Sequence, residues 1–393
     1  LMIDLLHHDV VPVIPEQGSI GASGDLVPSS YIGAMLMGRR KVLWHGETMP
    51  AAQALEALGF EPLRLEAKEG LAILNGTCFM TGIAALAVHD AERLARLADV
   101  LTAMTCEGLT GISGPFHPFI HEVKPHPGQQ RSAANIRSLL EGSRLARSYQ
   151  EAIRQFSRIQ ENYSLRCAPQ CIGVLYDTVD WARRWIETEI NSANDNPLFD
   201  AEAREVHSGG NFSGFYVGLA MDALKMAVAS VADLLDRQME LLVDEKFSGG
   251  LPPNLIVALP EDHPDAGIFH GFKSAQIAMS SLVAEALGLC MPMTAFSRST
   301  ECHNQDKVSM GAVAARQARN VIEISERACA IHLLAACQAV ELRGVDYLGP
   351  TRAIYEKVRK VSRFVASDRE LEEDIYGVAG LIRSDELLSD QAS

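Results

Sequence analysis

Apolar residues recur at helical spacing over most of the chain after Ile83. Leu224, Val228, Val231 and Leu235 stand at i, i+4, i+7 and i+11, the stripe of a single helix face. No proline falls between Phe212 and Glu245, or between Val308 and Arg343, where Val313, Ile324, Ile331, Leu334 and Ala335 supply the apolar positions. Ile268 to Met291 reads as a third long helix, ended by Pro292. Ile83 to Met104 reads as a buried helix, because Asp90, Glu92, Arg93, Arg96 and Asp99 break it too often for a membrane span. Helices of about 25 to 35 residues exceed the globular mean and predict a bundle. Strand signal is thin. Lys41 to Trp44, a His-Gly turn and Leu63 to Leu65 predict a small β-ribbon near the N-terminus. No Ser/Gly or Pro-rich linker and no fixed-period repeat occurs. The expected architecture is therefore mainly α, one elongated domain of long helices over 1–393. Residues 1–75 hold the ribbon and a glycine-rich stretch, and 76–393 hold the long-helix core.

Composition narrows the class. Hydrophobic residues make up 47% and charged residues 22%, as in an ordinary globular protein. The net charge of −15 argues against nucleic acid or an anionic membrane as partner, since both need a basic face. The 8 cysteines contain no C-x-x-C, and Cys167 and Cys171 have no second pair at zinc-like spacing. They read as reduced, mostly buried thiols of a cytoplasmic protein. The opening Leu1-Met2-Ile3-Asp4 carries no secretory signal pattern.

Between the helices lie polar loops that a bundle does not need: "LNGT" (74–77), "FHPFIHEVKPHPGQQ" (116–130), "QENYSLRCAPQ" (160–170), "NSANDNPLFD" (191–200), "SGGNFSG" (208–214) and "STECHNQDKVSMG" (299–311). Each could simply pair helix ends. Several of them converging at one place would instead form a polar pocket. No metal is expected. His121-Glu122-Val123-Lys124-Pro125-His126 has one residue too many for H-E-x-x-H and a proline where the helix must continue. Cys302-His303 has no further ligand at useful spacing.

The remaining oddity is "GSIGASGDLVPSS", Gly18 to Ser30. It lacks the Lys-Ser/Thr of a P-loop, the G-x-G-x-x-G of a dinucleotide fold and the G-x-S-x-G of a nucleophile elbow. With "LNGT", "YSLRC-x-PQ", "NDNPL", "GGNF" and "HNQD-x-VS" following in order, it resembles the signature of the aromatic amino acid lyases. That family comprises histidine, phenylalanine and tyrosine ammonia-lyases and the related 2,3-aminomutases. The resemblance spans essentially the whole chain and implies a fumarase/aspartase-like helical core, although the aspartase G-S-S-x-M-P loop is absent. It also implies a prosthetic group, 4-methylidene-imidazole-5-one, formed autocatalytically from Ala22, Ser23 and Gly24 with no external cofactor. Glycines and small residues at 18, 21, 22 and 24 suit the tight backbone that such a ring needs. The ring offers an electron-poor alkene to a substrate amine, a group that no standard side chain provides.

The implied reaction removes ammonia from an aromatic L-α-amino acid. Arg166 matches the arginine that pairs the substrate carboxylate, a task suited to a bidentate guanidinium; its bland alternative is an arginine tying down helix carbonyls. Tyr163, three residues earlier, would share its face on a helix and matches a tyrosine at the reacting centre. Asn75 matches the amide that holds the imidazolone or the amine, where the plain alternative is a helix cap. Gln160 and Asn196 match the carboxylate and cofactor shell, Phe212 the aromatic beside the ring, and Glu301 the acid near the amine in phenylalanine and tyrosine members. In His303-Asn304-Gln305-Asp306, histidine ammonia-lyases place a glutamate where Gln305 stands. A neutral amide beside an aryl ring favours phenylalanine or tyrosine over histidine. The aminomutase branch shares these motifs.

In that family the signature follows a substantial N-terminal segment carrying a loop tyrosine as β-proton base. The chain alone is therefore expected to be inactive or nearly so, and either to aggregate or to hold a companion N-terminal fragment; a lyase-derived scaffold without activity is the non-enzyme alternative. Helices of about 25 to 35 residues extend about 40–50 Å, too far for one chain to bring both ends to one pocket. The sequence thus predicts a homotetramer with shared sites and a small-molecule substrate.

Overall fold

A computed structural model describes residues 1–154 and 159–389. The chain folds into two compact units: Leu1–Ala87, Trp181–Ala223 and Met291–Arg319 form the first, and Val88–Asp180, Leu224–Cys290 and Asn320–Ser393 the second. The helices that matter below are α1 (Leu26–Leu36), α2 (Glu69–Leu74), α3 (Cys78–Gly108), α4 (Tyr163–Arg166), α5 (Ala168–Ile190), α6 (Phe215–Val243), α7 (Lys273–Gly288) and α8 (Gly311–Arg343). The fold is mainly helical, as the apolar periodicity predicts.

Helices α3, α6 and α8 run for 31, 29 and 33 residues. In the second unit their facing positions are buried, among them Leu97 and Leu101 of α3, Leu224 and Leu235 of α6, and Leu334 of α8. Small residues on the same helices, such as Ala95, Ala98, Ala335 and Ala339, are fully buried as well. Truncating one of these leucines to alanine costs about 2–5 kcal/mol. Buried polar groups interrupt this core at several places, among them Asp99. Buried Asp99 accepts hydrogen bonds from Ser132, Asn135 and Tyr176. Burial pushes its carboxyl up to about 7, against the downward pull of those three donors.

The third expected helix is shorter. It begins at Lys273 and ends at Gly288, 16 residues. Gly271 sits at φ +50, and the amides of His270 and Gly271 donate to Asp368, which turns the chain before the helix starts. Likewise α8 begins at Gly311, because Met310 is left-handed at φ +57. Among the described residues two helices are long and apolar enough to cross a membrane by composition, and the Phe215–Val243 helix is mostly buried within the protein.

In the first unit, β1 (Val11–Pro12), β2 (Lys41–Trp44) and β3 (Glu47–Pro50) form an antiparallel sheet in that order, with Val11 opposite Leu43 and Val42 opposite Met49. The expected partner Leu63–Leu65 is not a strand. His45 and Gly46 both take positive φ, the geometry of a two-residue hairpin, so the chain folds back at once into β3. Val42, Met35, Leu36 and Leu55 close a small core over this sheet. A second hairpin joins β4 (Leu198–Asp200) to β5 (Glu205–His207).

All 8 cysteines are free thiols. The expectation that they are mostly buried holds for Cys106, Cys329 and Cys337, whereas Cys78 and Cys302 are exposed. Among the described residues no group of three potential ligands could hold a metal. His121 is occupied at both nitrogens, Nε2 by Pro115 O and Nδ1 by Gln129 Nε2.

Candidate active site

The glycine-rich stretch is pinned between two other segments of the first unit. Asp25 N donates to Gly76 O at 2.7 Å, and Met310 N donates to Ile20 O at 2.9 Å. A Cβ on Gly24 would lie 2.0 Å from Gly76 O, and one on Gly21 would lie 2.1 Å from Ser309 Oγ. Only glycine fits at either place. Gly21, Ser23 and Gly24 all have positive φ, and Ser23, at +51, bears the steric cost that its Cβ brings there, about 1 kcal/mol. The residue whose chemistry is needed is held in a conformation serine disfavours.

Next in the chain, Asp25 is fully buried. Its carboxylate accepts from Ser19 Oγ at 2.6 Å and from Met80 N, in the first turn of α3, at 2.8 Å. Burial raises its carboxyl to about 6, and those two bonds oppose the rise. Asp25 also stands at the N-cap of α1. Met80 Sδ fills the space in front of Gly214 and Gly311, beside the starts of α6 and α8. Two helix N-termini, those of α1 and α3, thus meet at this buried carboxyl, and a third and fourth start beside the Met80 side chain.

Two side chains reach this stretch from elsewhere in the unit. Gln305 Nε2 donates to Ser23 Oγ at 3.0 Å, while its Oε1 accepts from Thr300 Oγ1 at 3.1 Å. Paired backbone bonds between Thr300 and Gln305 close a tight turn, and Glu301, Cys302 and His303 inside it are all left-handed. Asn75 ends α2 and is buried. Its Nδ2 donates to Asp195 Oδ1 at 3.0 Å and to Asn196 O at 3.1 Å. Lys68 pairs with Asp195. Asn196 accepts at Oδ1 from Ser208 and from the Gly209 amide, Phe212 is half-buried, and Glu301 and Asn304 are exposed.

Gln160, Tyr163 and Arg166 belong to the second unit. The guanidinium of Arg166 lies over the Tyr163 ring at 4.5 Å, so the shared helix face is as expected. Buried Gln238 anchors α4 by donating to Ser164 O at 2.9 Å, and Glu161 accepts from Ile112 N at 3.0 Å. Gln160, Arg166 and Gln170 line a cavity of about 590 Å³ with apolar walls from Ile112 and Ile120. Arg166 Nε and Gln170 Oε1 are buried without a partner among the described residues. An unsatisfied guanidinium edge beside such a cavity suits an anionic group.

The family model described as aromatic amino acid lyase matches residues 1–360. The chain belongs to this family. A histidine ammonia-lyase of Stigmatella aurantiaca is 43% identical over 395 residues, covering 99% of this chain and 74% of the relative. The tyrosine aminomutase of Streptomyces globisporus superposes with a TM-score of 0.93 at 37% identity, over 98% of this chain and 74% of that one. The phenylalanine aminomutase of Pantoea agglomerans gives 0.91 at 36%, over 96% and 74%. By class this aromatic amino acid lyase is a carbon–nitrogen lyase. Within it, Asp25, Lys68, Asp195 and Thr300 were not reached by motif reasoning. The only sequence signal for Asp25 and Asp195 was their place inside "ASGD" and "NDNPL".

Proposed function

We propose that the protein eliminates ammonia from phenylalanine or tyrosine to give an arylacrylate, using a 4-methylidene-imidazole-5-one made from Ala22, Ser23 and Gly24. The residues fit that group: Gly21 and Gly24 sit where no Cβ is tolerated, and Ser23 is held left-handed with its hydroxyl bonded. When present, the group supplies the electrophilic carbon for the substrate amine. Arg166, whose buried Nε has no partner among the described residues, pairs the carboxylate, and Tyr163 stands against it. Asn75 faces the amine, and the N-termini of α1 and α3 at Asp25 favour negative charge on the adjoining tripeptide.

The observation that carries the substrate choice is Gln305. Its neutral amide cannot act as a base toward an imidazole, and it brings no charge to an aryl ring. Histidine is the second reading, favoured by the name of the relative that is 43% identical, and a 2,3-aminomutase is the third, favoured by the names of the two similar structures. The deciding experiment offers phenylalanine, tyrosine and histidine in turn and separates arylacrylate, urocanate and β-amino acid. Urocanate as the main product overturns the proposal. Intact mass decides whether the chain is instead an inert scaffold, since the cyclised protein is two waters lighter than its sequence.

The same reading includes a homotetramer. Ile277 and Leu287 of α7 and Met226 of α6 are apolar and exposed, surface that a second copy can cover. A monodisperse monomer in light scattering, with activity retained, would remove this part.

A further inference from the structure

Asn75 is 5% exposed, and both hydrogens of its amide are engaged, one by Asp195 Oδ1 and one by the carbonyl of Asn196. No hydrogen bond to its Oδ1 occurs among the described residues. Asp195 is itself fixed. Lys68 Nζ donates to its Oδ2 and to Asn196 O at 3.3 Å, and the Asn196 amide donates to its Oδ1 at 2.7 Å. Partial burial works against charge on Asp195, and the bonds from Lys68, Asn75 and Asn196 outweigh it, so the carboxyl titrates below its ordinary range. An ionised carboxylate is an acceptor only. It therefore permits one sense of the Asn75 amide, NH₂ toward Asp195 and carbonyl away.

We infer that Asp195, clamped by Lys68, is a positioning residue that turns the carbonyl oxygen of Asn75 toward the amine of the substrate. The inference rests on the reading of this site as an amine-eliminating one. A substrate ammonium group has only hydrogens to offer at that place, so a carbonyl acceptor is complementary to it and an NH₂ group is not. Lys68 contributes by keeping Asp195 ionised and in place. A left-handed backbone at Lys68, φ +76, directs the chain so that its side chain can do so.

The test is Asp195→Asn, which keeps the shape but lets residue 195 donate to Asn75 and reverse its amide. Two ligands form the probe: phenylglycine, with an amine and a carboxylate but no β-proton to lose, and phenylacetate, the same skeleton without the amine. Calorimetry on the full chain should give a preference for phenylglycine that falls at least about ten-fold in Asp195→Asn. Phenylacetate binding, the intact mass and the melting temperature should stay as in the unmodified protein. An undiminished preference for the amine in Asp195→Asn overturns the inference. If that variant does not fold, Lys68→Met carries the test with a smaller loss in the same ratio, and an unchanged ratio there overturns it equally. Failure of the underlying reading has its own signature. The unmodified protein would then bind neither probe, and the inference would fall with it.

Discussion

Gln305 and Ser23, 282 positions apart in the chain, are joined by a hydrogen bond from Nε2 to the serine hydroxyl at 3.0 Å. Thr300 donates to the other end of the same amide, so its sense is set from behind. A glutamate at 305 has no hydrogen to give Ser23 and brings a charge to this part of the site. Gln305→Glu should therefore lower kcat/KM for phenylalanine or tyrosine and raise the histidine-to-aryl ratio by about ten-fold or more, on the scale that a desolvated charge commands. Steady-state kinetics on the three amino acids checks this. An unchanged ratio would show that Gln305 serves Ser23 alone.

That pair also marks where sequence reading stopped. Gln305 was legible as a residue of the site, but its partner was not, because no periodicity links positions so far apart. The stripe Leu224, Val228, Val231, Leu235 was legible because burial on a helix face is a local property, and all four are buried. The ribbon was half legible. Leu63-Arg64-Leu65 alternates as a strand would, yet two left-handed residues at His45 and Gly46 decide the pairing in favour of Glu47–Pro50. Helix ends were misplaced for a related reason. The left-handed Met310 and the Asp368 bonds to the chain before Lys273 are conformational and tertiary facts, invisible to residue type. Asp195 was passed over because an aspartate between two asparagines reads as turn chemistry until its contacts with Lys68 and Asn75 are seen.

Arg166→Lys should impair turnover far more than stability. Lysine keeps the charge but loses the planar fork, and its ammonium cannot match both carboxylate oxygens. A loss of about 2–3 kcal/mol in transition-state binding is expected, with the melting temperature nearly unchanged. Kinetics and a thermal melt on the same preparation separate the two. A variant that fails to fold would mean that Arg166 holds α4 and not a substrate.

Gly24→Ala should block formation of the prosthetic group. The added methyl would fall 2.0 Å from Gly76 O, at a φ of +72 that alanine disfavours, so the backbone must move away from its present path. Mass spectrometry should find the variant with both waters retained, while far-ultraviolet circular dichroism remains that of the helical fold. Complete cyclisation in Gly24→Ala would show that the close approach to Gly76 is not what shapes the tripeptide.

Stability should depend on Asp99 in a direction opposite to that of a salt-bridged carboxylate. Its carboxyl stands at about 7 in the folded protein against an ordinary value of 3.8, because burial opposes its charge. Between those values the native state holds a proton that the unfolded chain has released, so stability falls as pH rises through this window. The full contribution is present below about pH 4 and is gone above about pH 7, with a span on the order of 4 kcal/mol. Asp25, raised to about 6, adds a smaller effect of the same sign at the site itself. Asp195 and Asp374, whose carboxyls are held low, act oppositely and only in acid, where their protonation removes stability. Asp99→Asn isolates the first effect, since an amide retains the shape and cannot titrate. Urea midpoints between pH 4.5 and 8 should converge as pH rises if the amide stands in for the protonated acid only imperfectly, with the unmodified protein ahead at the acid end. Parallel curves for the two proteins across that range would mean that Asp99 ionises in the folded state as it does in the unfolded one, its three donors having fully offset its burial.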